Sequence, residues 1–219
     1  MKKKEKLVLT GVSGLAFILL IILIRFVDVS QIGPEETSIG LSGINSAVFQ
    51  FTGVNTLWYE ITDWLGIAAI LVAFAFAVMG FVQMIKRRSL LKVDGELLTL
   101  GGLYVTVIGL YVLFEKVIVN YRPILMPGCE HPEASFPSSH TMIVCVIMGS
   151  AMMHLRKYVR NQAVCRTLWV ICTAVIGITV IGRLIAGIHW FTDIIGGILI
   201  STALLALFSV IAGGKSENE

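Results

Sequence analysis

The sequence predicts an all-α, polytopic membrane protein built as a bundle of six transmembrane helices. Of its 219 residues, 56% are hydrophobic and 14% are charged, with a mean hydropathy of +0.87. So few ionisable residues could hardly cover the surface of a soluble domain of this size. Moreover, six apolar stretches approach the roughly 20 residues that a helix needs to cross a bilayer.

The six predicted spans follow the hydropathy of the chain. The first comes after the basic start MKKKEK and resembles a signal peptide, but it is long enough to span and no convincing cleavage site follows it. The fourth is the shortest, interrupted by Gly149 and Ser150. No internal repeat stands out, so residues 1–219 are treated as one six-span domain. The spans are expected at roughly residues 7–27, 62–85, 97–118, 139–155, 167–186 and 190–212.

The distribution of basic residues predicts the orientation. If the N-terminus is cytoplasmic, the cytoplasmic segments hold thirteen of the seventeen Lys and Arg residues, in agreement with the positive-inside rule. Both termini are therefore predicted to be cytoplasmic. The other four cations, Arg25, Lys116, Arg122 and Arg183, fall on the extracytoplasmic side with nine of the fourteen acidic residues. The small net charge of +3 gives no reason to expect a nucleic-acid partner.

The first extracytoplasmic loop is long and only partly polar. Its segment GLSGINSAVFQF (40–51) is compatible with an interfacial amphipathic helix, either an ordered cap or a lid over a substrate. Trp58, Tyr59 and Trp64 are expected to anchor the entry of the second span at the interface. The four cysteines lack a metal-binding spacing and are predicted to be unpaired.

Two short polar segments lie at predicted outer ends of spans. In KVIVNYRP (116–123), Lys116 and Arg122 stand where a proline stops a helix leaving the membrane. Either cation alone is explained by snorkelling to the headgroups. The segment SFPSSH (135–140) precedes the fourth span and is compatible with a simple N-cap. The free N–H groups of that helix start also suit an anion such as phosphate.

A third segment, GRLIAGIHWFTD (182–193), places charges between two apolar stretches. On a helix beginning near Gly187, His189 and Asp193 share a face, and the aspartate makes the imidazole a better base or nucleophile. Arg183 can face this pair if Gly187 breaks the chain into a tight hairpin. Trp190 is predicted to be an interfacial anchor. A single histidine here is explained by a polar contact, but the set favours a functional site.

Together the outer segments supply three cations, two histidines and a carboxylate, which suit a small, highly charged anion. Arginines and a lysine can hold the oxygens of a phosphoryl group, while one histidine attacks and another protonates the departing oxygen. The sequence has no carboxylate cluster and no HExxH motif. It therefore predicts phosphoryl transfer without a metal ion or cofactor.

The order KxxxxxRP, PSSH, GRxxxxxHxxxD resembles the three-part signature of the type 2 phosphatidic acid phosphatase (PAP2) superfamily, which also includes vanadium haloperoxidases and glucose-6-phosphatase-like enzymes. The motifs lie at 116–123, 137–140 and 182–193, and the six-span layout extends the resemblance to the whole chain. It implies that His189 is the nucleophile that forms a phosphohistidine, that Asp193 orients it, and that His140 is the general acid. The implied phosphate-binding residues are Lys116, Arg122, Arg183, Ser138 and Ser139.

Three positions depart from the usual motifs. Five residues separate Lys116 from Arg122, where the family has six. Ser139 replaces the glycine of PSGH and adds a hydroxyl where the backbone should approach the phosphate. Gly182 stands where a serine usually precedes the third arginine, so one possible hydrogen bond to the phosphate is missing. His131 matches nothing in the family and is interpreted as a loop residue.

The resemblance implies a bacterial cell-membrane lipid phosphatase, and the predicted orientation places its site on the extracytoplasmic face. Membrane lipids are the expected substrates, first undecaprenyl diphosphate, which is released on that face. Phosphatidylglycerol phosphate and phosphatidic acid are the alternatives. A transporter with a His/Arg/Asp relay is a rival of another class, although it would place these residues near mid-membrane on broken helices. A structural or lipid-binding membrane protein is a further rival, and the oligomeric state is not predicted.

Overall fold

The computed structural model describes residues 2–216, and most of these residues are helical. Two-residue strands, β1 (Ser30–Gln31) and β2 (Ser38–Ile39), pair antiparallel between the first two helices. The seven α-helices are α1 (Lys3–Phe26), α2 (Ser42–Thr52), α3 (Thr56–Arg87), α4 (Gly95–Lys116), α5 (Ser139–Tyr158), α6 (Gln162–Ile185) and α7 (Phe191–Ser216).

Six of these helices correspond to the six predicted spans, which confirms the all-helical prediction. Five of them, α1, α3, α4, α6 and α7, are long and apolar enough to cross a membrane. The remaining one, α5, is apolar only over Ser139–Leu155, in the stretch that the sequence marks as the shortest span. The structure therefore supports a multi-pass membrane protein, but it does not confirm six full crossings.

Side chains that cap the first turns set the starts of three helices. The Asn55 side chain accepts a hydrogen bond from the Trp58 N–H at the start of α3, and Asn161 caps α6 in the same way. Ser138 caps α5 by accepting from the Thr141 N–H. Such caps satisfy backbone donors that have no partner inside the helix, and Asn55 explains why α3 begins before residue 62.

The helix α5 is the centre of the bundle. It packs against α3, α4, α6 and α7, while α1 packs along α7. Many α5 side chains are fully buried, among them Met142, Val144 and Val146. Large apolar side chains of the outer helices remain exposed, including Leu15, Phe74 and Val105. This arrangement fits a bundle whose outer surface faces hydrocarbon, with α5 enclosed by protein.

The amphipathic segment of the first outer loop forms α2, as the sequence suggests. The Asn45 side chain joins α2 to the start of α7, because it donates to the Thr192 hydroxyl at 3.0 Å and accepts from the Thr192 N–H at 3.2 Å. The amide is fully buried, and a buried polar group needs such partners. The helix α2 is thus a fixed cap over one end of the bundle.

The two ends of the bundle carry different polar contacts. At one end Lys157 pairs with Glu96 at 3.1 Å and Arg87 pairs with Asp94 at 2.8 Å. A hydrogen bond from the Gln83 side chain, aided by Arg87, holds the pKa of Asp94 below its usual value. At the other end the guanidinium of Arg25 donates to the Ile118 carbonyl at 2.6 Å. The three polar motifs lie at this second end.

Candidate active site

The position of His189 depends on a glycine turn between α6 and α7. Gly187 has a φ of +67°, and a Cβ there would lie 1.9 Å from the Gly53 carbonyl oxygen, so only glycine fits. The hairpin that the sequence suggests at Gly187 is confirmed. The helix α7 begins later than Gly187, at Phe191, so His189 lies in the turn and not on a helical face. The turn also lies outside the membrane-spanning helices.

His189 and Asp193 form a buried pair. The His189 Nδ1 lies 3.6 Å from Asp193 Oδ2, slightly longer than a hydrogen bond. That carboxylate oxygen also accepts from the Trp190 N–H at 2.9 Å. Burial, followed by the positive charges of Arg122 and Arg183, holds the pKa of His189 well below its usual value. The imidazole is therefore neutral at pH 7, as a nucleophile must be.

Arg183 is fully buried at the end of α6. Its Nη2 donates to Asp63 Oδ1 at 3.0 Å, and its guanidinium lies 5.3 Å from the centre of the Tyr59 ring. Its Nε and Nη1 have no hydrogen-bond partner within residues 2–216. Because unpaired buried donors are costly, these two N–H groups form a site that an anion would satisfy.

His140 lies in the first turn of α5, and its Nε2 is 3.0 Å from the same oxygen of Asp63. The neighbouring Ser138 hydroxyl accepts from the Thr141 N–H and hydroxyl at 3.5 and 3.1 Å, which favours the helix-capping interpretation of this serine. Ser139 lines a narrow cleft that also contains Arg122 and His189. The second motif therefore brings His140 and Ser139 to the site, and the Ser138 oxygen caps the helix. The phosphate-binding role of Ser138 remains a prediction.

The two cations of the first motif, Arg122 and Lys116, lie in different environments. The Arg122 Nη1 donates to the Ile188 carbonyl at 3.4 Å, and its Nε pairs with Glu133 at 3.1 Å, so this arginine is fixed beside His189. Lys116, the last residue of α4, has an exposed side chain. No contact in the described part of the chain joins Lys116 to the other site residues. Its phosphate-binding role remains a prediction.

Unpaired buried polar atoms concentrate in this site. Seven of the ten such side-chain atoms among residues 2–216 belong to Asn120, Ser135, Arg183, His189 and Asp193. The amide of Asn120 and the hydroxyl of Ser135 interact with the Asp193 carboxylate without reaching hydrogen-bond geometry. Residues 2–216 contain no group of three His, Cys, Asp or Glu side chains that could hold a metal ion. The arrangement suits an anion with several oxygens.

Gly182 shows why the serine of the usual motif is absent. A Cβ at this position would lie 2.5 Å from Thr62 Cγ2 and 2.9 Å from Trp58 Cε3. Both neighbours belong to α3, which therefore fills the space that a serine side chain would need. The missing hydroxyl is a consequence of the close approach of α3 to α6.

The sequence interpretation was wrong about Trp190 and did not identify Asp63. Trp190 is buried, donates to the Tyr121 carbonyl at 2.7 Å and packs on Phe49 at 5.6 Å, so it is a packing residue and not an interfacial anchor. Asp63 contacts both Arg183 and His140. Its signal in the sequence is a carboxylate at the edge of a predicted span, but its partners lie on other helices. His131, in contrast, is an exposed loop residue as predicted.

Comparisons with known proteins bear on the family and the fold of the chain. A family model described as the PAP2 superfamily matches residues 97–216, more than half of the chain. The fold is similar to the crystal structure of a transmembrane PAP2 type phosphatidylglycerolphosphate phosphatase from Bacillus subtilis, at 16% identity and a TM-score of 0.66. That similarity covers 96% of this chain and 97% of the other, and at this identity it shows the fold alone. No curated protein matches the chain.

Proposed function

The chain belongs to the PAP2 superfamily, and on this premise we propose that it hydrolyses a membrane lipid phosphate or diphosphate through a phosphohistidine. Its membership confirms the resemblance inferred from the three motifs. The observation that carries the proposal is the neutral, buried His189 beside the guanidinium of Arg183, two of whose nitrogens have no partner among residues 2–216. A phosphoryl group is an anion that both residues can engage.

In the first half of the proposed reaction, Arg183 and Arg122 hold the nonbridging oxygens of the phosphoryl group. The Nε2 lone pair of His189 attacks phosphorus, and the bond from phosphorus to the lipid oxygen breaks with its electron pair on that oxygen. His140 gives a proton to the departing oxygen. Asp193, 3.6 Å from Nδ1, stabilises the positive charge that develops on the His189 ring.

In the second half, a water molecule loses a proton to His140 and its oxygen attacks phosphorus. The bond between phosphorus and Nε2 breaks, the electron pair returns to His189, and inorganic phosphate leaves. Both histidines thereby regain their starting protonation states. No step requires a metal ion, as the residues of the site predict.

The proposed substrate is a lipid, because the site lies at one end of a bundle whose apolar helices are exposed on their outer faces. A lipid phosphate at the membrane interface reaches this end while its tail stays in hydrocarbon. With the site on the predicted extracytoplasmic face, we propose undecaprenyl diphosphate as the first substrate. Phosphatidylglycerol phosphate, after which the similar Bacillus subtilis phosphatase is named, and phosphatidic acid are the alternatives.

Phosphate release by the purified protein in detergent, with EDTA present, tests this proposal. The panel is undecaprenyl diphosphate, phosphatidylglycerol phosphate and phosphatidic acid, and the variants are His189→Ala and the control His131→Ala. We expect release by wild type and by His131→Ala, and a loss of at least about 10³-fold in His189→Ala.

Three outcomes would contradict the proposal or a part of it. Loss of wild-type activity on chelation would refute the metal-independent mechanism. Much faster release from phosphatidylglycerol phosphate or phosphatidic acid would refute the choice of undecaprenyl diphosphate. Anion flux in liposomes without any phosphate release would favour a transporter instead.

A further inference from the structure

Asp63 joins two site residues that lie on different helices. Its Oδ1 atom is 3.0 Å from Arg183 Nη2 on α6 and 3.0 Å from His140 Nε2 on α5. Asp63 itself belongs to α3, outside residues 97–216 and outside all three motifs. We propose that Asp63 is a positioning residue, which holds the guanidinium of Arg183 and the imidazole of His140 in the places from which they act on the lipid phosphate. This inference rests on the proposed function.

The contact with Arg183 leaves the phosphate-binding side of the guanidinium free. A guanidinium has five N–H groups in a rigid plane. Asp63 accepts from Nη2, whereas Nε and Nη1 have no partner in residues 2–216. The Tyr59 ring lies 5.3 Å from the guanidinium carbon. One carboxylate and one aromatic ring therefore fix the plane, and the N–H groups of Nε and Nη1 are left to bind an anion.

The contact with His140 assigns its two nitrogens to different tasks. Asp63 Oδ1 lies 3.0 Å from Nε2, which leaves Nδ1 to exchange a proton with the leaving group. The ionisable groups that face this ring are Asp63 from α3, Arg183 from α6 and the neutral His189 from the turn after α6. Among them only Asp63 is negative. A general acid must begin protonated, and of these three side chains only the Asp63 carboxylate, 3.0 Å from Nε2, attracts the proton of the ring.

Each histidine of the site thus has its own carboxylate. Asp193 lies 3.6 Å from Nδ1 of His189, and Asp63 lies 3.0 Å from Nε2 of His140. A carboxylate bound to one ring nitrogen fixes the orientation of the ring and the tautomer. The sequence motif includes the first of these pairs, but the second joins residues that are 77 positions apart in the chain.

Two glycines bring α3 close enough for this contact. A Cβ at Gly66 would lie 2.9 Å from His140 Cδ2, so the ring packs directly on the α3 backbone. A Cβ at Gly182 would lie 2.5 Å from Thr62 Cγ2, so α6 approaches α3 equally closely. The same close approach of α3 therefore excludes a serine side chain at position 182 and brings Asp63 to Arg183 and His140. The carboxylate fixes Arg183 from α3, where the motif of other members has a hydroxyl next to the arginine.

The test compares Asp63→Asn and Asp63→Ala with wild type in phosphate release, measuring kcat, KM and the pH profile of kcat. The control is Glu60→Gln, which removes an exposed carboxylate one turn earlier on α3. We expect kcat to fall at least about 10-fold in both Asp63 variants and the alkaline limb of the profile to move to lower pH. The control variant should match wild type. Thermal unfolding in detergent verifies that the variants fold. If Asp63→Ala does not fold, Asp63→Asn, which preserves the shape of the side chain, still tests the inference.

Binding of inorganic phosphate, measured by calorimetry on the same proteins, separates positioning from competition. If Asp63 only occupies the place of the phosphate, Asp63→Ala should bind phosphate more tightly than wild type and keep the kcat of wild type. That result would overturn the inference. Unchanged kcat and pH profile in Asp63→Asn overturn it as well. If wild type releases no phosphate from any lipid, the proposed function fails. Phosphate binding then still decides the role of Asp63, since positioning predicts binding no tighter than wild type.

Discussion

At the scale of single residues, the absence of a side chain at Gly182 matters as much as the charges around it. The helix α3 contacts α6 where a serine would otherwise stand, and Thr62 and Trp58 fill that space. The same helix supplies Asp63 to the site. A side chain at position 182 would therefore push away the element that holds Arg183.

Alanine scanning of two glycines on α6 tests this packing. Gly182→Ala places a Cβ 2.5 Å from Thr62 Cγ2, whereas a Cβ at Gly177 has no atom within 4 Å. We expect Gly182→Ala to destabilise the protein by roughly 1–3 kcal/mol and to lower kcat. Gly177→Ala should be neutral or more stable, because alanine favours helix. Thermal unfolding in detergent measures both, and equal stabilities would contradict the close approach of α3.

The buried His189 predicts a dependence of stability on pH. Its pKa is held below the usual 6.5 by burial and by Arg122 and Arg183, so below pH 6.5 the unfolded chain binds a proton that the folded protein does not. This difference lowers stability as the pH falls, by up to about 1.4 kcal/mol for each pH unit below 6.5. His189→Ala lacks this titration. As the pH falls from 7.5 to 5, the stability of wild type should therefore fall to that of His189→Ala or below it.

Thermal unfolding of both proteins across that pH range provides the measurement. His131→Ala is the control for losing a histidine as such. A constant difference in stability between wild type and His189→Ala would mean that His189 is not held neutral in the folded protein.

At the scale of elements, the turn between α6 and α7 determines where His189, the proposed nucleophile, lies. Gly187 contacts the Gly53 carbonyl, and the Asn55 N–H donates to the Ala186 carbonyl at 3.2 Å. The segment between α2 and α3 thus supports the turn that carries His189. This support joins residues that are more than 130 positions apart, so no local pattern could have predicted it.

Gly187→Ala should damage both the turn and the site. A residue other than glycine is strained at a φ of +67°, and its Cβ would lie 1.9 Å from the Gly53 oxygen. We expect a loss of stability of at least about 2 kcal/mol and a fall in phosphate release of at least about 10-fold. The matched control is Gly177→Ala. Activity and thermal stability equal to wild type would show that the turn is not required.

The sequence predicts these elements better than it predicts their ends and contacts. Hydropathy identifies all six long helices because both the lipid-facing helices and the protein-enclosed α5 are apolar. It places the start of the second span at 62, whereas α3 begins at Thr56, because the polar first turns lower the local hydropathy. The motifs identify His140, Arg183, His189 and Asp193. Asp63 has no motif, since its role depends on how α3 packs against α5 and α6.

At the scale of the whole molecule, one end of the bundle carries the site and the other carries the basic segments. Lys6 at the start of α1 donates to the Ser209 carbonyl near the end of α7, and Lys157 pairs with Glu96 at the same end. The positive-inside rule predicts that this end faces the cytoplasm. On this prediction the proposed active site faces the extracytoplasmic side.

Two native cysteines allow this orientation to be measured. Cys129 lies in the loop beside the site, Cys165 lies near the start of α6, and both are free and partly exposed. In intact bacterial cells an impermeant maleimide should label Cys129 and not Cys165, with Cys129→Ser and Cys165→Ser as matched variants. Because a hydrogen bond to Glu133 raises the pKa of the Cys129 thiol, labelling should be faster at higher pH. Labelling of Cys165 from outside would reverse the assigned orientation.

The central claim is that His189 forms a covalent bond to the substrate phosphate, and trapping that intermediate tests it most directly. The protein is mixed with a lipid substrate that carries a labelled terminal phosphate, and turnover is stopped in alkali, in which phosphohistidine survives. We expect the label on His189 in wild type and none in His189→Ala, while His131→Ala keeps it. Label on another residue, or undiminished phosphate release by His189→Ala, would contradict the account.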